Sequence, residues 1–265
     1  MSRIEKKFQE LKGKSEKGLI AYITAGDPDL QTTLQLVKNF EEVGVDLIEL
    51  GIPFSDPLAD GLVNQLAAAR ALESGTTIAK ILDLVKTVRE KSEIPLIIFT
   101  YLNPVLQYGF KKFAKDARKA GIDGILILDL PPEEAEEYKE IMTQFNLDTI
   151  FLIAPTSSDK RIEKIASLAA GFIYCVSRTG VTGARGNLPV EAPALVQKIR
   201  NFSNLPIAVG FGISNPQQVQ YLSKFSDAIV VGSAIVKRIE ENAGSKNLLK
   251  NVTSFTKQLS RVLHP

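Results

Sequence analysis

The chain has 265 residues, with 32 Lys plus Arg against 30 Asp plus Glu and a formal net charge of +2. That balance argues against a nucleic-acid binder, which needs clustered basic residues facing phosphates. A single cysteine, Cys175, excludes an internal disulfide and fits a reducing compartment. No apolar run approaches the about 20 residues of a membrane span, and the opening MSRIEKKFQE lacks the apolar core of a signal peptide, so a soluble cytoplasmic protein is expected.

In chain order, Ile4, Phe8 and Leu11 form an apolar stripe at helical spacing, which predicts a first helix. The charges interleaved through EKKFQELKGKSEKG suit its solvated face. GLIAYIT (18–24) reads as the first strand, followed by a helix with Leu34, Val37 and Phe40 on one face. DLIELG (46–51) is the second strand. A long loop follows, then an Ala-rich helix in VNQLAAARALESG and another from Thr76. Further short, β-branched apolar runs are PLIIFTY (95–101), GILILDL (124–130), TIFLIAP (149–155), FIYCVS (172–177), PIAVGFG (206–212) and AIVVGS (228–233), the last opening a helix at Ser233. Continuous apolar strands alternating with helices predict a parallel sheet covered by helices. At this length an eightfold β/α barrel is the natural closure; a doubly wound open sheet is the rival. The first helix is expected to plug the barrel's bottom. The absence of a linker or composition shift points to one domain over 1–265.

In such a barrel the active site lies at the C-terminal ends of the strands. The polar residues there are Thr24 and Asp27, then Glu49, Asp56 and Asp60, then Thr100 and Tyr101, with Asp129, Tyr174 and Ser233 further on. No lysine stands at a strand end, which argues against a Schiff-base aldolase. No histidine does either, which argues against a zinc or iron site. The only histidine, His264, lies next to the end of the sequence and is expected to be a bystander.

Glu49 sits in an apolar strand. Alternation puts Leu47 and Glu49 on one face and Ile48 and Leu50 on the other. If the second pair packs on helices, Glu49 points into the barrel mouth, where desolvation raises its pKa toward neutrality, as acid–base chemistry requires. A satisfied polar residue in the barrel's inner layers is the alternative. Asp60 could accept a hydrogen bond from a substrate or cap the helix beginning near Leu62; Asp56 in SDP reads as a turn-former.

A second cluster, VGFGIS and VGSAIVKRI, ends strands seven and eight with glycines and a helix start, suited to an anion such as phosphate; ordinary βα turns are the plain alternative. A third, SRTGVTGARG (177–186), reads either as a lid over a phosphorylated substrate or as a surface loop. Cys175 should point outward into the core, opposite to Tyr174.

The runs YITAGDP, ELGIPFSDPLADG, YLNPVLQYG, LDLPPEE, APTSSDKRI, SRTGVTGAR and VGFGIS, in this order and spacing, resemble the tryptophan synthase alpha subunit family over essentially the whole chain. The resemblance implies a TIM barrel with an extra N-terminal helix and extra helices after strands 2 and 8. It implies a lyase that reversibly cleaves indole-3-glycerol phosphate to indole and glyceraldehyde 3-phosphate. Glu49 and Asp60 would be catalytic, Glu49 shuttling protons and Asp60 stabilising charge at the indole nitrogen. Tyr22, Thr100 and Leu126 would help surround the ring, and Tyr174 would line the site near Glu49. Thr182 would reach Asp60 on closure. Gly183, Gly212, Gly232 and Ser233 would hold the phosphate, and Phe211 would also contact substrate. No cofactor is implied in this chain; pyridoxal phosphate belongs to a beta subunit, the expected partner in an alpha2-beta2 heterotetramer. That partner would dock over Pro53, Asp56, Asn103, Pro104 and Asp129. A subunit that mainly activates its partner is the rival from another functional class. One departure stands out: after ADG the family pattern resembles PVIQ or PTIQ, whereas here it is LVNQ. The position of Asn64 normally offers an apolar contact to the ring, so an amide there either weakens substrate binding or faces solvent.

Overall fold

Eight parallel strands, paired in sequence order, close into a barrel in which β8 returns to β1. The computed structural model describes residues 1–177 and 191–264. The first half contains α1 (Arg3–Lys14), β1 (Gly18–Thr24), α2 (Leu30–Glu42), β2 (Leu47–Gly51), α3 (Leu62–Glu73), α4 (Ile78–Arg89) and β3 (Leu96–Thr100). Next come α5 (Leu102–Tyr108), α6 (Phe110–Ala120), β4 (Gly124–Ile127), α7 (Glu136–Gln144), β5 (Asp148–Ile153) and α8 (Asp159–Leu168). β6 (Ile173–Val176), α9 (Ala192–Arg200), β7 (Ile207–Gly210), α10 (Pro216–Ser223), β8 (Ala228–Val231), α11 (Ser233–Glu241) and α12 (Leu248–Ser260) complete the series. The closed barrel with extra helices α1, α3 and a pair after β8 agrees with the sequence-based expectation. The open sheet is excluded by the β1–β8 pairing.

Strand alternation builds two cores. Ile20, Leu47, Ile97, Leu126, Ile150 and Val230 point into the barrel, while Ile48, Leu50, Ile98 and Ile125 pack outward on helices with Val37, Phe40 and Val85. Both faces are buried, which is why the strands read as continuous apolar runs. Cys175 belongs to the outer core and Tyr174 to the inner one. Ile4, Phe8 and Leu11 of α1 join the inner core from below, and the Phe8 ring lies 5.9 Å from that of Phe172. Asp123 fastens this floor: it accepts hydrogen bonds from Arg89 at 2.8 Å, from Arg3 at 3.0 Å and from the Leu96 N–H at 2.9 Å.

Two features depart from expectation. The crossover after β3 is split into α5 and α6 around Gly109, whose φ of +89° suits a residue without a side chain. His264 is not a bystander. Its ring nitrogens lie 3.0 Å from Asp46 Oδ2 and 3.3 Å from Glu16 Oε2, because α12 packs on α2 and delivers the residue to the barrel floor.

Candidate active site

Glu49 is the third residue of β2, flanked in register by Tyr22 on β1 and Ile97 on β3. Its side chain is fully buried, and neither carboxyl oxygen accepts a hydrogen bond from any described residue. Burial alone pushes its pKa from an ordinary 4.5 up to about 8, because a charge without partners is disfavoured in an apolar surrounding. At neutral pH the group therefore holds its proton and can give it away.

Glu49 lines a small cavity at the mouth of the barrel. Four rings form part of its wall. Tyr22 meets Phe99 edge-on at 4.9 Å, and Tyr174 meets Phe211 edge-on at 5.8 Å. Glycines on adjacent strands make room for the two tyrosines. A Cβ at Gly51 would lie 2.4 Å from the Tyr22 hydroxyl, and one at Gly210 would lie 2.1 Å from the Tyr174 hydroxyl. Phe211 has a φ of +76°, an unfavourable value for a bulky residue. Ser177 Oγ steadies it by donating to its carbonyl at 2.6 Å.

Gly212, Gly232 and Ser233 continue the wall. Ser233 begins α11, with Gly232 as its N-cap. The first N–H groups of a helix have no acceptor within the helix, and they carry the positive end of its dipole. This part of the cavity is therefore fitted for an anion, and the same cavity is lined by the Glu49 proton donor.

Asp60 is largely buried and touches Asn64, which lines the cavity. It does not cap α3, whose N-cap is Gly61. Tyr101 donates its hydroxyl to Asp60 Oδ2 at 2.9 Å, and Asn64 Nδ2 donates to Oδ1 at 3.1 Å. Burial raises the Asp60 pKa while these two donors oppose the rise. Asn64 itself lines the cavity and is buried, so the solvent-facing expectation is corrected. It turns inward because α3 packs on β1 and α11 and because its amide finds the Asp60 carboxylate.

Arg70, further along α3, forks onto Asp27 at 2.7 and 2.9 Å and reaches Glu240 of α11 at 3.1 Å. This joins the helix bearing Asn64 to the helix bearing the anion end.

Of the residues singled out from sequence, the cavity brings together Tyr22, Glu49, Tyr174, Phe211, Gly212, Gly232 and Ser233. Leu126 is buried in the barrel interior without forming part of the wall. Thr100 is corrected: it does not line the cavity, and its hydroxyl donates to the Tyr101 carbonyl at 3.1 Å. Strand alternation gives Phe99 the inward place instead. Thr182 and Gly183, with the rest of the expected lid, lie outside the described residues. Sequence reasoning missed Phe99, whose signal was its place in β3 two residues beyond Ile97, the partner of Glu49.

Pro53, Asn103 and Pro104 border a second cleft with Phe54 and Leu72. Asp129 accepts the Leu102 N–H beside it at 2.7 Å. Among the described residues there is no cluster of His, Cys, Asp and Glu fit for a metal, and no helix long and apolar enough to cross a membrane.

A family profile described as Tryptophan synthase alpha chain matches residues 8–264. The tryptophan synthase alpha chain of Geotalea uraniireducens (strain Rf4) is 54% identical over 246 residues, 93% of this chain and 92% of that one. Among solved structures, tryptophan synthase subunit alpha from Legionella pneumophila superposes with a TM-score of 0.92 at 36% identity, over 100% of this chain and 99% of that one. A chain from the tryptophan synthase a2b2 complex of Pyrococcus furiosus gives a TM-score of 0.86 at 39% identity, over 92% of this chain and 98% of that one. Matched over nearly its whole length at such identity, the chain belongs to the tryptophan synthase alpha chain family.

Proposed function

We propose that this chain is a lyase that reversibly cleaves indole-3-glycerol phosphate to indole and glyceraldehyde 3-phosphate in tryptophan biosynthesis. The observation that carries the reading is Glu49, a buried, protonated carboxyl that accepts no hydrogen bond from any described residue and lines a cavity shared with the start of a helix. The acid gives its proton to C3 of the indole ring, which leaves that carbon tetrahedral and places positive charge at the ring nitrogen. Asp60 supplies negative charge near that nitrogen. The Glu49 carboxylate then takes the proton of the hydroxyl on the carbon attached to C3. The bond between the two carbons breaks, its electron pair restores the aromatic ring, and the oxygen becomes the aldehyde carbonyl. Glu49 ends protonated, as it began. The protonated ring itself is the electron sink, so the step calls for none from a cofactor.

The phosphate rests at the start of α11 beside Gly212, Gly232 and Ser233, where backbone N–H groups and the helix dipole favour an anion. Gly183 and Thr182 belong to the same reading, as do Tyr22, Tyr174, Phe211 and Leu126 around the ring. The partner is a tryptophan synthase beta subunit carrying pyridoxal phosphate, docked over Pro53, Asp56, Asn103, Pro104 and Asp129 in an alpha2-beta2 assembly. Similarity to a chain of the Pyrococcus furiosus a2b2 complex supports this. A cytoplasmic location completes the proposal, in keeping with the single cysteine.

The test is indole release from indole-3-glycerol phosphate, measured with the chain alone and with a beta subunit added. Release that the partner accelerates is expected. No release under either condition overturns the enzyme reading.

A further inference from the structure

Arg70 ties together three elements that line the cavity, yet it is not itself a lining residue. Tyr22 of β1, Asn64 of α3, and Gly232 and Ser233 at the start of α11 all border that space. β1 and α11 meet closely there, since a Cβ at Gly232 would lie 3.3 Å from the Tyr22 Cβ. Further along the same elements one guanidinium holds all three. Its Nε and Nη2 donate to the two oxygens of Asp27, in the turn after β1, at 2.7 and 2.9 Å. Its Nη1 donates to Glu240, near the end of α11, at 3.1 Å. Among the described residues this is the one hydrogen-bonded link between α3 and α11. Ser74, just past α3, reaches the β1 turn instead, donating to the Gly26 carbonyl at 3.2 Å. Asp27 is almost wholly buried and gives the fork a fixed anchor, whereas Glu240 is partly exposed and forms the outer arm. A rigid planar fork holds two carboxylates at set angles, which the point charge of a lysine cannot do.

We propose that Arg70 is a positioning residue: by fixing α11 against α3 and the β1 turn, it sets where the phosphate rests and so how tightly the substrate binds. This rests on the cleavage reading above and adds to it a residue that never touches the substrate. A helix start favours an anion only where its N–H groups point at that anion, so small displacements of α11 are costly. Packing between apolar side chains resists separation of two helices but resists sliding less, because it has no direction of its own. The fork supplies that direction. Glu49 stands on β2, paired on both sides by sheet hydrogen bonds, and Arg70 makes no bond to that strand. The clasp therefore acts on binding and leaves the proton transfer alone.

The experiment compares the parent with Arg70→Leu, Arg70→Lys and Glu240→Ala. Steady-state indole release is measured with a beta subunit present, and calorimetry gives the dissociation constant of sn-glycerol 3-phosphate, an unreactive phosphate ester. Glu240→Ala removes a partly exposed acceptor, so it is expected to keep the parent's melting temperature while KM and the dissociation constant rise about threefold, the scale of one such ion pair. Arg70→Leu is expected to raise both by about tenfold or more, as a misplaced binding group does, and Arg70→Lys to fall between the two. In every variant kcat should stay within about twofold of the parent with an unshifted pH profile, the signature of binding lost equally from substrate and transition state. If Arg70→Leu does not fold, Glu240→Ala decides. Variants that lose stability but keep the parent's KM and dissociation constant overturn the proposal, because the clasp would then serve the fold alone. A fall in kcat or a shifted pH profile at unchanged KM also overturns it, since Arg70 would then act on the proton transfer. A parent that binds the ester but releases no indole refutes the cleavage reading instead, and the dissociation constants then decide the role of Arg70.

Discussion

Glu49 carries two consequences that share one cause. Its carboxyl, buried and without a partner among the described residues, stays protonated in the folded chain up to about pH 8, whereas in the unfolded chain it ionises near 4.5. The folded state therefore binds the extra proton between these values, so the parent loses stability as pH rises through that window. Glu49→Gln keeps the shape and removes the titration. Its unpaired amide costs the same at every pH, so the slope is the diagnostic quantity. Urea unfolding at about pH 5 and about pH 9 should show the parent losing a few kcal/mol more than the variant, each displaced pKa unit being about 1.4 kcal/mol. Parallel pH dependences would mean the carboxyl is ionised or paired. The same variant should lose at least about 100-fold in indole release, since it can neither give nor take the proton. Residual activity within about tenfold of the parent would remove Glu49 from the chemistry.

At the scale of elements, α3 and α11 pack together beside the site, and Arg70 is their clasp. Asp27 is almost completely buried, and burial raises its pKa although Arg70 opposes the rise. Removing the guanidinium leaves that carboxylate uncompensated. Arg70→Leu should cost about 2–3 kcal/mol in chemical denaturation, somewhat below the about 3–5 of a fully buried pair because Arg70 is partly exposed. Adding Asp27→Asn should recover part of the loss, and a double variant no better than the single would show that packing, not charge, was removed. Legibility also follows element type. The period of two in β2 placed Glu49 on the inner face correctly, since Leu47 and Ile48 divide between the two cores. The same rule carried along β3 gives Phe99 and not Thr100. Asn64 was not legible, because its direction depends on how α3 leans on α11 and on an acceptor, Asp60, that loop geometry sets. Nor was the break at Gly109, where the residues on both sides have helical character and only the backbone turn separates them.

Across the whole molecule the two poles of the barrel divide the work: the cavity lies at one and the fastening of the chain's ends at the other, as barrels of this type allow. The floor is closed by α1 under the inner core, by Asp123 holding Arg3 and Arg89, and by His264, which reaches Asp46 across 218 residues of sequence. Separation on that scale is why a reading of local pattern treated His264 as idle. Asp46 Oδ2 also accepts the Leu19 N–H at 2.8 Å, so one carboxylate joins the start of β1 to the end of the sequence. The hydrogen bond to Asp46, followed by attraction to Asp46 and Glu16, raises the His264 pKa against the opposing effect of burial. Lys7, 4.0 Å from the other Asp46 oxygen, is the nearby competing cation. A raised histidine stabilises the fold fully below its ordinary 6.5 and loses that contribution as pH climbs through the higher folded value. His264→Ala should therefore lower stability by about 1 kcal/mol at about pH 6, the scale of a charge-assisted hydrogen bond at a partly exposed site, and by clearly less at about pH 9. Thermal melts of parent and variant at the two pH values measure the difference directly, and a deficit that is the same at both would show that the imidazole holds the floor by packing and not by charge.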